Sequence, residues 1–362
     1  MAENITQISW ENIAESITEG RCILFLGHQA TVNYGNPDRL NSFFEDIVNQ
    51  HKNDVDSFHK GDGLLLFKND DAIIDISRKV RNFYSTDFTS ALTDKLVKIP
   101  FHSYLMLSPD STINAALQKS GFAFQHNYFD KLNLREIENK PTAGIPLVYN
   151  LFGSTANANS MIISHGDLYA FMKQFFGGKN FPNTIKTMLN PENTDHIVFL
   201  GVDFDKWYFQ LILNFLDLDY RRYKRYAMLQ ENTANNDKVI WEKHFRISFV
   251  PNAIDSFVDN IYNIFEKNGK LRKVAENAVA KKVILPNILK LVTSMFDSTA
   301  LTTFCMCYFP EVHEQFTEEQ SKSTRINKLL EHAKQTENYT MLLDQCKDEN
   351  AVQYERFKPY FE

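Results

Sequence analysis

Short runs of consecutive apolar residues, each ending at turn-forming residues, recur between residues 20 and 250 of the chain. Continuous apolar runs of this length are typical of strands that are buried on both faces of a parallel sheet. The pattern predicts five such strands: Cys22–Leu26, Leu105–Leu107, Met161–Ile163, His196–Leu200 and Ile247–Val250.

Helical patterns lie between and after these runs. The apolar residues of 205–218 and 253–265 recur at the three- and four-residue spacing of a helix with one buried face. Strands that alternate with helices predict an α/β fold with an open, Rossmann-like parallel sheet. In such folds the ligand lies at the carboxyl ends of the strands.

The pattern becomes purely helical near Lys281. Leu285, Ile288, Leu289, Val292 and Phe296 make one apolar helical face. Further patterns of this kind predict four or five short helices, of which one has Ser298 and another Asn338 as N-cap. We therefore predict two domains, an α/β domain over residues 1–280 and a small all-α bundle over residues 281–362.

Composition narrows the class of protein. The 362 residues are 43% hydrophobic and 23% charged, which is typical of a soluble globular protein. No apolar run approaches the roughly 20 residues needed to span a bilayer, and the amino terminus has no secretory pattern. The four cysteines form neither a disulfide framework nor a metal-binding pattern. We expect a cytoplasmic protein without a metal site.

Five phrases of the first domain occur in an order that resembles the sirtuin-like domains of bacterial defence proteins. The phrases are Phe25–Thr31, Met106–Asp110, Leu151–Ser154, Ser160–Ser164 and Phe199–Trp207. The resemblance extends from about Arg21 to Phe265. It implies a pocket for NAD or a related nucleotide, in which backbone N–H groups of a glycine-rich loop and a helix N-terminus bind the phosphates. The residues placed there by the resemblance are Gly27, His28, Thr31, Asp110, Gly153, Ser154 and Gly201.

The two catalytic positions of this family are altered. Ser108 aligns with the family's asparagine, and Phe152 aligns with the histidine that accepts a proton. Loss of a general base costs about 10²–10⁴-fold in rate. The resemblance therefore predicts a degenerate pseudoenzyme that acts as a sensor or scaffold, with Asp110 as a loop cap rather than an acid.

An active NAD hydrolase that depletes cellular NAD upon infection is the alternative. It requires a substitute base, and the histidines near the aligned phrases are His28, His165 and His102. Asp203 and Asp205 form a carboxylate couple, but their position favours the capping of the helix that follows.

The C-terminal residues resemble the effector-associated, death-like adaptor domains of bacterial conflict systems. The matching phrases include 301–310 and 354–360. The resemblance implies a protein partner that carries a like domain, and it is compatible with a homo-oligomer. Mixed charges can supply oppositely charged faces for such contacts, and they include Glu318, Glu319, Lys322, Arg325 and Lys328.

A basic and aromatic segment, Tyr220–Tyr226, allows a third interpretation. Four cations interleaved with three tyrosines suit a nucleic-acid contact through charge and stacking. The same residues also suit the approach to a strand, with side chains that extend to the surface. The net charge of −6 favours the strand and argues against nucleic acid as a partner.

Overall fold

The computed structural model describes most of the chain. The described residues are 8–69, 73–137, 139–178, 180–190, 192–216, 224–228, 235–250, 253–274, 285–317, 319–336 and 339–357. The chain divides into two compact units, Met1–Glu276 and Asn277–Glu362.

A seven-stranded sheet forms the centre of the first unit. The strands are β1 (Cys22–Leu26), β4 (Ser103–Met106), β5 (Gln125–Tyr128), β6 (Leu147–Asn150), β7 (His196–Leu200), β8 (Lys224–Met228) and β9 (Ile247–Val250). Their order in the sheet is β5-β6-β4-β1-β7-β8-β9, and every neighbouring pair is parallel. This sheet confirms the predicted open parallel α/β fold.

Helices cover both faces of the sheet, which explains the continuous apolar runs. Ile23 and Phe25 of β1 point into one core, whereas Leu24 and Leu26 point into the other. The first core is covered by α6 (His165–Phe176), α7 (Asn183–Met188), α8 (Trp207–Phe215) and α9 (Asn235–Lys243). The second is covered by α1 (Trp10–Thr18), α4 (Ala91–Leu96), α5 (Thr112–Lys119) and α10 (Ile254–Lys267).

An insertion between β1 and β4 builds a smaller core of its own. It consists of α2 (Arg39–Gln50), the antiparallel hairpin β2 (Val55–His59) and β3 (Leu64–Phe67), and α3 (Ile73–Tyr84). Polar residues interrupt β2 and make this strand inconspicuous in the sequence, whereas β3 is a short apolar run.

The predicted strand Met161–Ile163 is wrong. Met161 and Ile163 are buried, but they pack into the core of the insertion rather than into the sheet. The backbone there has an isolated bridge between Leu65 and Ser164, and α6 begins immediately afterwards. The run is apolar because it is buried, and burial alone does not require strand pairing.

The second unit is helical, as predicted. Its helices are α11 (Leu285–Met295), α12 (Ser298–Tyr308), α13 (Pro310–His313), α14 (Lys322–Gln335), α15 (Tyr339–Glu349) and α16 (Ala351–Phe357). Asp297 rather than Ser298 is the N-cap of α12, since its carboxylate accepts from Ala300 N at 2.8 Å. The predicted cap Asn338 lies outside the described residues. In the parts of the chain that the structure covers, no helix is long and apolar enough to cross a membrane.

Candidate functional site

A small cavity lies at the carboxyl edge of the sheet, where the loops after β1, β4, β6 and β7 meet. This is the edge at which open parallel sheets bind ligands. The insertion closes the cavity from the other side through Leu40, Gly63 and Tyr84. The loops contribute Gly27, His28, Leu107, Pro109, Phe152, Val202 and Asp203, and α8 contributes Tyr208 and Phe209.

The cavity is too small for a dinucleotide. Its volume is about 60 Å³, whereas ligand pockets usually enclose about 300–1,000 Å³. By the same measure, a space of about 10–15 Å³ holds one water. The cavity therefore has room for only a few waters in this conformation.

The Phe152 ring fills part of the space at which the resemblance expects a ligand. It packs edge-to-face against Phe171 at 5.5 Å between ring centroids and against Tyr208 at 6.0 Å. Both neighbours are buried. The ring that the resemblance aligns with an ionisable histidine thus packs against the apolar core.

The N–H groups of the first loop are used within the protein. Gly27 N donates to Leu200 O at 3.0 Å, and Gln29 N donates to Gly201 O at 3.2 Å. The N–H groups of residues 30, 31 and 33 also donate to backbone carbonyls of this loop. These five donors are consequently engaged, so they cannot bind phosphate unless the loop rearranges.

The glycines of this loop serve close backbone packing. A Cβ on Gly27 would overlap the carbonyl oxygen of Gly201 and would lie 2.7 Å from Val202 Cα. Gly201 has a φ of +63°, and a Cβ there would lie 2.8 Å from Ala30 Cβ. Glycine is thus required where the loops after β1 and β7 touch, with or without a ligand.

A buried polar network surrounds Ser108, the residue that the resemblance aligns with the family's asparagine. Ser108 Oγ donates to Asp110 Oδ2, and Thr31 Oγ1 donates to the same oxygen at 3.1 Å. The other oxygen of Asp110 accepts from Thr112 N at 3.0 Å and so caps the start of α5. Asn150 Nδ2 donates to Ser108 O at 2.7 Å and to Asp110 O at 3.0 Å. Ser108, Thr31 and Asp110 are all buried, and none of them lines the cavity.

Gly153 and Ser154 lie in the turn after β6. Gly153 has a φ of +81° and packs against the backbone of Ser160. Ser154 is buried, its N–H donates to Ser160 Oγ at 2.9 Å, and its Oγ accepts from Ala156 N at 3.2 Å. Both residues shape the loop that carries Phe152, and neither lines the cavity.

His28 is the histidine that faces the cavity among the described lining residues. Its Nε2 lies 3.3 Å from Tyr84 Oη. Burial lowers the pKa of His28 to about 4, although the carboxylate of Asp110 opposes that shift. A general base works best when its pKa is near the working pH, so His28 is a weak base at neutral pH.

The other two histidines lie elsewhere. His165 begins α6, and its Nε2 lies 2.9 Å from Asp62 Oδ2, outside the cavity lining. His102 precedes β4 and therefore lies at the amino edge of the sheet, opposite the cavity. The structure brings His28 alone of these three to Phe152.

Asp203 and Asp205 do not form a couple in the cavity. Asp203 lines it and pairs with Lys206 at 3.6 Å, whereas Asp205 is exposed and is not a lining residue. Lys206 is the N-cap of α8 and makes no capping side-chain bond, so the capping of this helix by the preceding loop stays a prediction.

Sequence reasoning missed Tyr84, Lys206 and Tyr208 as lining residues. Tyr84 ends a helix of the insertion, and the insertion has no counterpart in the phrases that carry the resemblance. The Gly61-Asp62-Gly63 triplet was the available signal for a turn that brings the hairpin to the cavity.

The described half of the basic segment is a strand. Lys224, Arg225 and Tyr226 lie in β8, and Arg225 is 2% exposed with its guanidinium donating to Phe245 O at 2.6 Å. Tyr226 is buried as well. Residues 220–223 lie outside the described residues. The part that is described fits the strand interpretation.

Comparisons with protein families agree with both resemblances. Residues 109–249 match the model of the SIR2-like domain, and residues 288–351 match that of effector-associated domain 7. Phe152 and Gly201 lie inside the first match, whereas Gly27 and Ser108 precede it. No curated protein matches the chain. The chain is therefore similar to SIR2-like domains in its α/β unit and to effector-associated domain 7 in its helical unit, as the sequence predicted.

Proposed function

We propose that this chain is a sirtuin-like component of bacterial anti-phage defence signalling that acts in the cytoplasm as a scaffold or sensor and not as an enzyme. The observation that carries the proposal is the small cavity of about 60 Å³, which Phe152 lines while its ring packs against Phe171 and Tyr208. A catalytic site needs both room for the substrate and a base within reach.

Two further features support the absence of turnover. The N–H groups of Gly27 and Gln29 donate to carbonyl oxygens, so these two donors are not free to bind a phosphate. The Ser108 hydroxyl donates to Asp110 and is buried, so it is not available to a ribose or a water in the cavity.

A direct assay for NAD tests this proposal. Purified full-length protein is incubated with NAD, and the released nicotinamide is measured alongside the Phe152→His, Ser108→Asn double variant. We expect no sustained turnover by the natural chain. We also expect little from the double variant, because the restored side chains neither free the loop amides nor enlarge the cavity. Sustained turnover by the natural chain would refute the scaffold role.

One observation favours the alternative, an NAD hydrolase that is silent until assembly. His28, Asp203 and Lys206 put two cationic or ionisable nitrogens and a carboxylate at the same cavity. If the assembled protein is active through His28, then His28→Ala abolishes the activity and His165→Ala leaves it unchanged. The opposite order of effects, or activity in both variants, would exclude His28 as the base.

The helical unit supports a recruitment role. Its buried core is independent of the α/β cores, and its surface carries both signs of charge. Part of that charge is already used, since Arg325 donates to Thr302 Oγ1 and Thr317 O, and Lys322 donates to Thr293 O. Glu319 and Lys334 are exposed. We propose that exposed charges of this kind bind a protein with a like domain.

Binding to such a partner is measurable with the full chain. A protein that carries an effector-associated domain is titrated by isothermal calorimetry at low and high salt. We expect binding that weakens with salt and with Glu319→Lys or Lys334→Glu, because charge complementarity guides such interfaces. Binding that is indifferent to salt and to both substitutions would contradict a charge-based contact. Sedimentation of the chain alone, at the same two salt concentrations and with the same two variants, tests self-association.

A further inference from the structure

Three side chains with metal-binding atoms converge beside the hairpin of the insertion. His59 ends β2, Asp62 lies in the turn that follows, and His165 begins α6. One nitrogen of each imidazole and one carboxylate oxygen all lie within 4.8 Å of one another. His165 Nε2 is 2.9 Å from Asp62 Oδ2, and the two imidazole rings meet edge-to-face at 5.1 Å.

We propose that His59, Asp62 and His165 bind a divalent cation of the zinc class. Two imidazoles and one carboxylate are a common ligand set for such ions, and a water completes the coordination. Bonds of about 2.0–2.2 Å place tetrahedral ligands about 3.3 Å apart. The His59 ring is exposed, so a small rotation brings its nitrogen to that spacing.

Neighbouring groups already orient these ligands. Trp207 Nε1 donates to Asp62 Oδ1 at 3.0 Å, and the other carboxylate oxygen faces His165. The Ser57 hydroxyl lies 3.2 Å from His59 Nε2. Hydrogen bonds of this kind hold the ligands of protein metal sites in place. A chance surface pair of Asp62 and His165 would not need a third partner such as Trp207, which lies on α8.

A cation at this site would join the hairpin to α6. Gly63 and Leu64, which follow Asp62, line the cavity, and Leu65 N donates to Ile163 O at 2.9 Å just before α6. The metal would therefore fix one wall of the cavity. This site goes beyond the proposed function, because it requires neither NAD nor a protein partner.

The expectation of no metal site rested on the cysteines. The ligands proposed here are two histidines and an aspartate, and His165 is separated from Asp62 by 103 positions in the sequence. No short motif connects them. The insertion and α6 bring them together only in the folded chain.

Zinc titration of the full chain tests the site. Isothermal calorimetry with Zn²⁺, and visible absorption with Co²⁺, are compared for the natural chain and the variants His59→Ala, Asp62→Asn and His165→Ala. The matched control is His51→Ala, just before the same hairpin, where the His51 ring lies 2.6 Å from Lys79 Nζ and 3.9 Å from Asp54. We expect one ion per chain, and binding weakened more than about 100-fold in each ligand variant but unchanged in the control.

Two further measurements separate binding from folding. Trypsin cleavage after Lys60, whose side chain is 61% exposed, should become slower with Zn²⁺ in the natural chain and not in His165→Ala. Trp207→Phe removes only the bond to Asp62 and should weaken Zn²⁺ binding about 10–100-fold. Fluorescence of the buried Trp241 reports whether each variant is folded. Folded ligand variants that bind Zn²⁺ as the natural chain does, or a natural chain that binds none, would overturn the proposal.

Discussion

Removal of the Phe152 ring should destabilise the α/β unit by an amount that the contacts of the ring predict. The ring makes two edge-to-face pairs, with Phe171 and Tyr208, and each such pair contributes about 0.5–1.5 kcal/mol. A fully buried phenylalanine costs about 3–5 kcal/mol when it becomes alanine. Since Phe152 is only partly buried, we expect Phe152→Ala to cost about 2–3 kcal/mol, or about 5–10 °C in Tm.

The assay is thermal and urea unfolding followed by tryptophan fluorescence. All three tryptophans, Trp10, Trp207 and Trp241, belong to the α/β unit, so the signal reports on that unit alone. The matched control is Phe176→Ala. Phe176 is also partly buried and also makes two aromatic pairs, with Phe175 and Phe215, but it does not line the cavity.

A small aromatic ligand distinguishes the two variants. An engineered apolar cavity can bind benzene, and a ligand at ten times its Kd adds about 1.4 kcal/mol to stability. Benzene or indole should therefore stabilise Phe152→Ala and neither Phe176→Ala nor the natural chain. If Phe152→Ala unfolds like the natural chain, or if the ligand stabilises both variants equally, the Phe152 ring does not fill the site.

Three other predictions follow from buried groups outside this ring. Because burial lowers the pKa of His28 from 6.5 to about 4, stability is complete above about pH 6.5 and falls as pH drops through 4. The loss is about 3 kcal/mol at most, and urea unfolding of His28→Gln should lack it. Arg272 donates to the carbonyls of four residues and to Tyr104 Oη. We expect Arg272→Met to lower the free energy of unfolding by about 3–5 kcal/mol, whereas Arg78→Met, at an exposed position, should lower it by less than about 0.5 kcal/mol. Only Cys307 is exposed among the four cysteines, and burial raises the pKa of Cys305 to about 12, so a thiol reagent should titrate one cysteine rapidly in native protein and four in denaturant.

Each of the three has a clear contrary result. Equal acid sensitivity of the natural chain and His28→Gln would show that another group causes the loss. Similar stability of Arg272→Met and Arg78→Met would show that the carbonyls around Arg272 find water. Rapid reaction of more than one thiol would show that the cores open on the time scale of the reagent.

The sheet was predictable because its central strands are buried on both faces. The five consecutive apolar residues of β1, and the four that follow His196 in β7, have no other simple explanation. The hairpin β2–β3 was not predictable in this way, because Val55-Asp-Ser-Phe-His59 has only one fully buried position. The run Met161–Ile163 misled for the converse reason, since its apolar residues belong to a core that the sequence did not reveal.

The sequence predicted some residues of the candidate site, but not the other lining residues or the volume. The order of the phrases placed Phe152, Gly27 and His28 at one edge of the sheet, and the structure brings all three to one cavity. The contribution of Tyr84 and Leu64 depends on how the insertion folds over that edge. The cavity volume results from all of these contacts together, and no local pattern in the sequence predicts it.

The presence of Gly27 and Gly201 at the candidate site does not by itself indicate that the site turns over NAD. Gly27 and Gly201 have no room for a Cβ, because the loops that carry them touch through their backbones. A substitution there would strain the fold even in a chain that never binds NAD, whereas Ser108 donates to Asp110 and Phe152 packs against Phe171 and Tyr208. If the proposed function is correct, the positions that depart from the family pattern, Ser108 and Phe152, are therefore those that only catalysis required. Turnover requires a cavity large enough for the substrate, free donors for its phosphates and a general base. A single substitution such as Phe152→His supplies only the base, which raises the rate by at most about 10²–10⁴-fold. It therefore has no substrate on which to act until the loop and the cavity open.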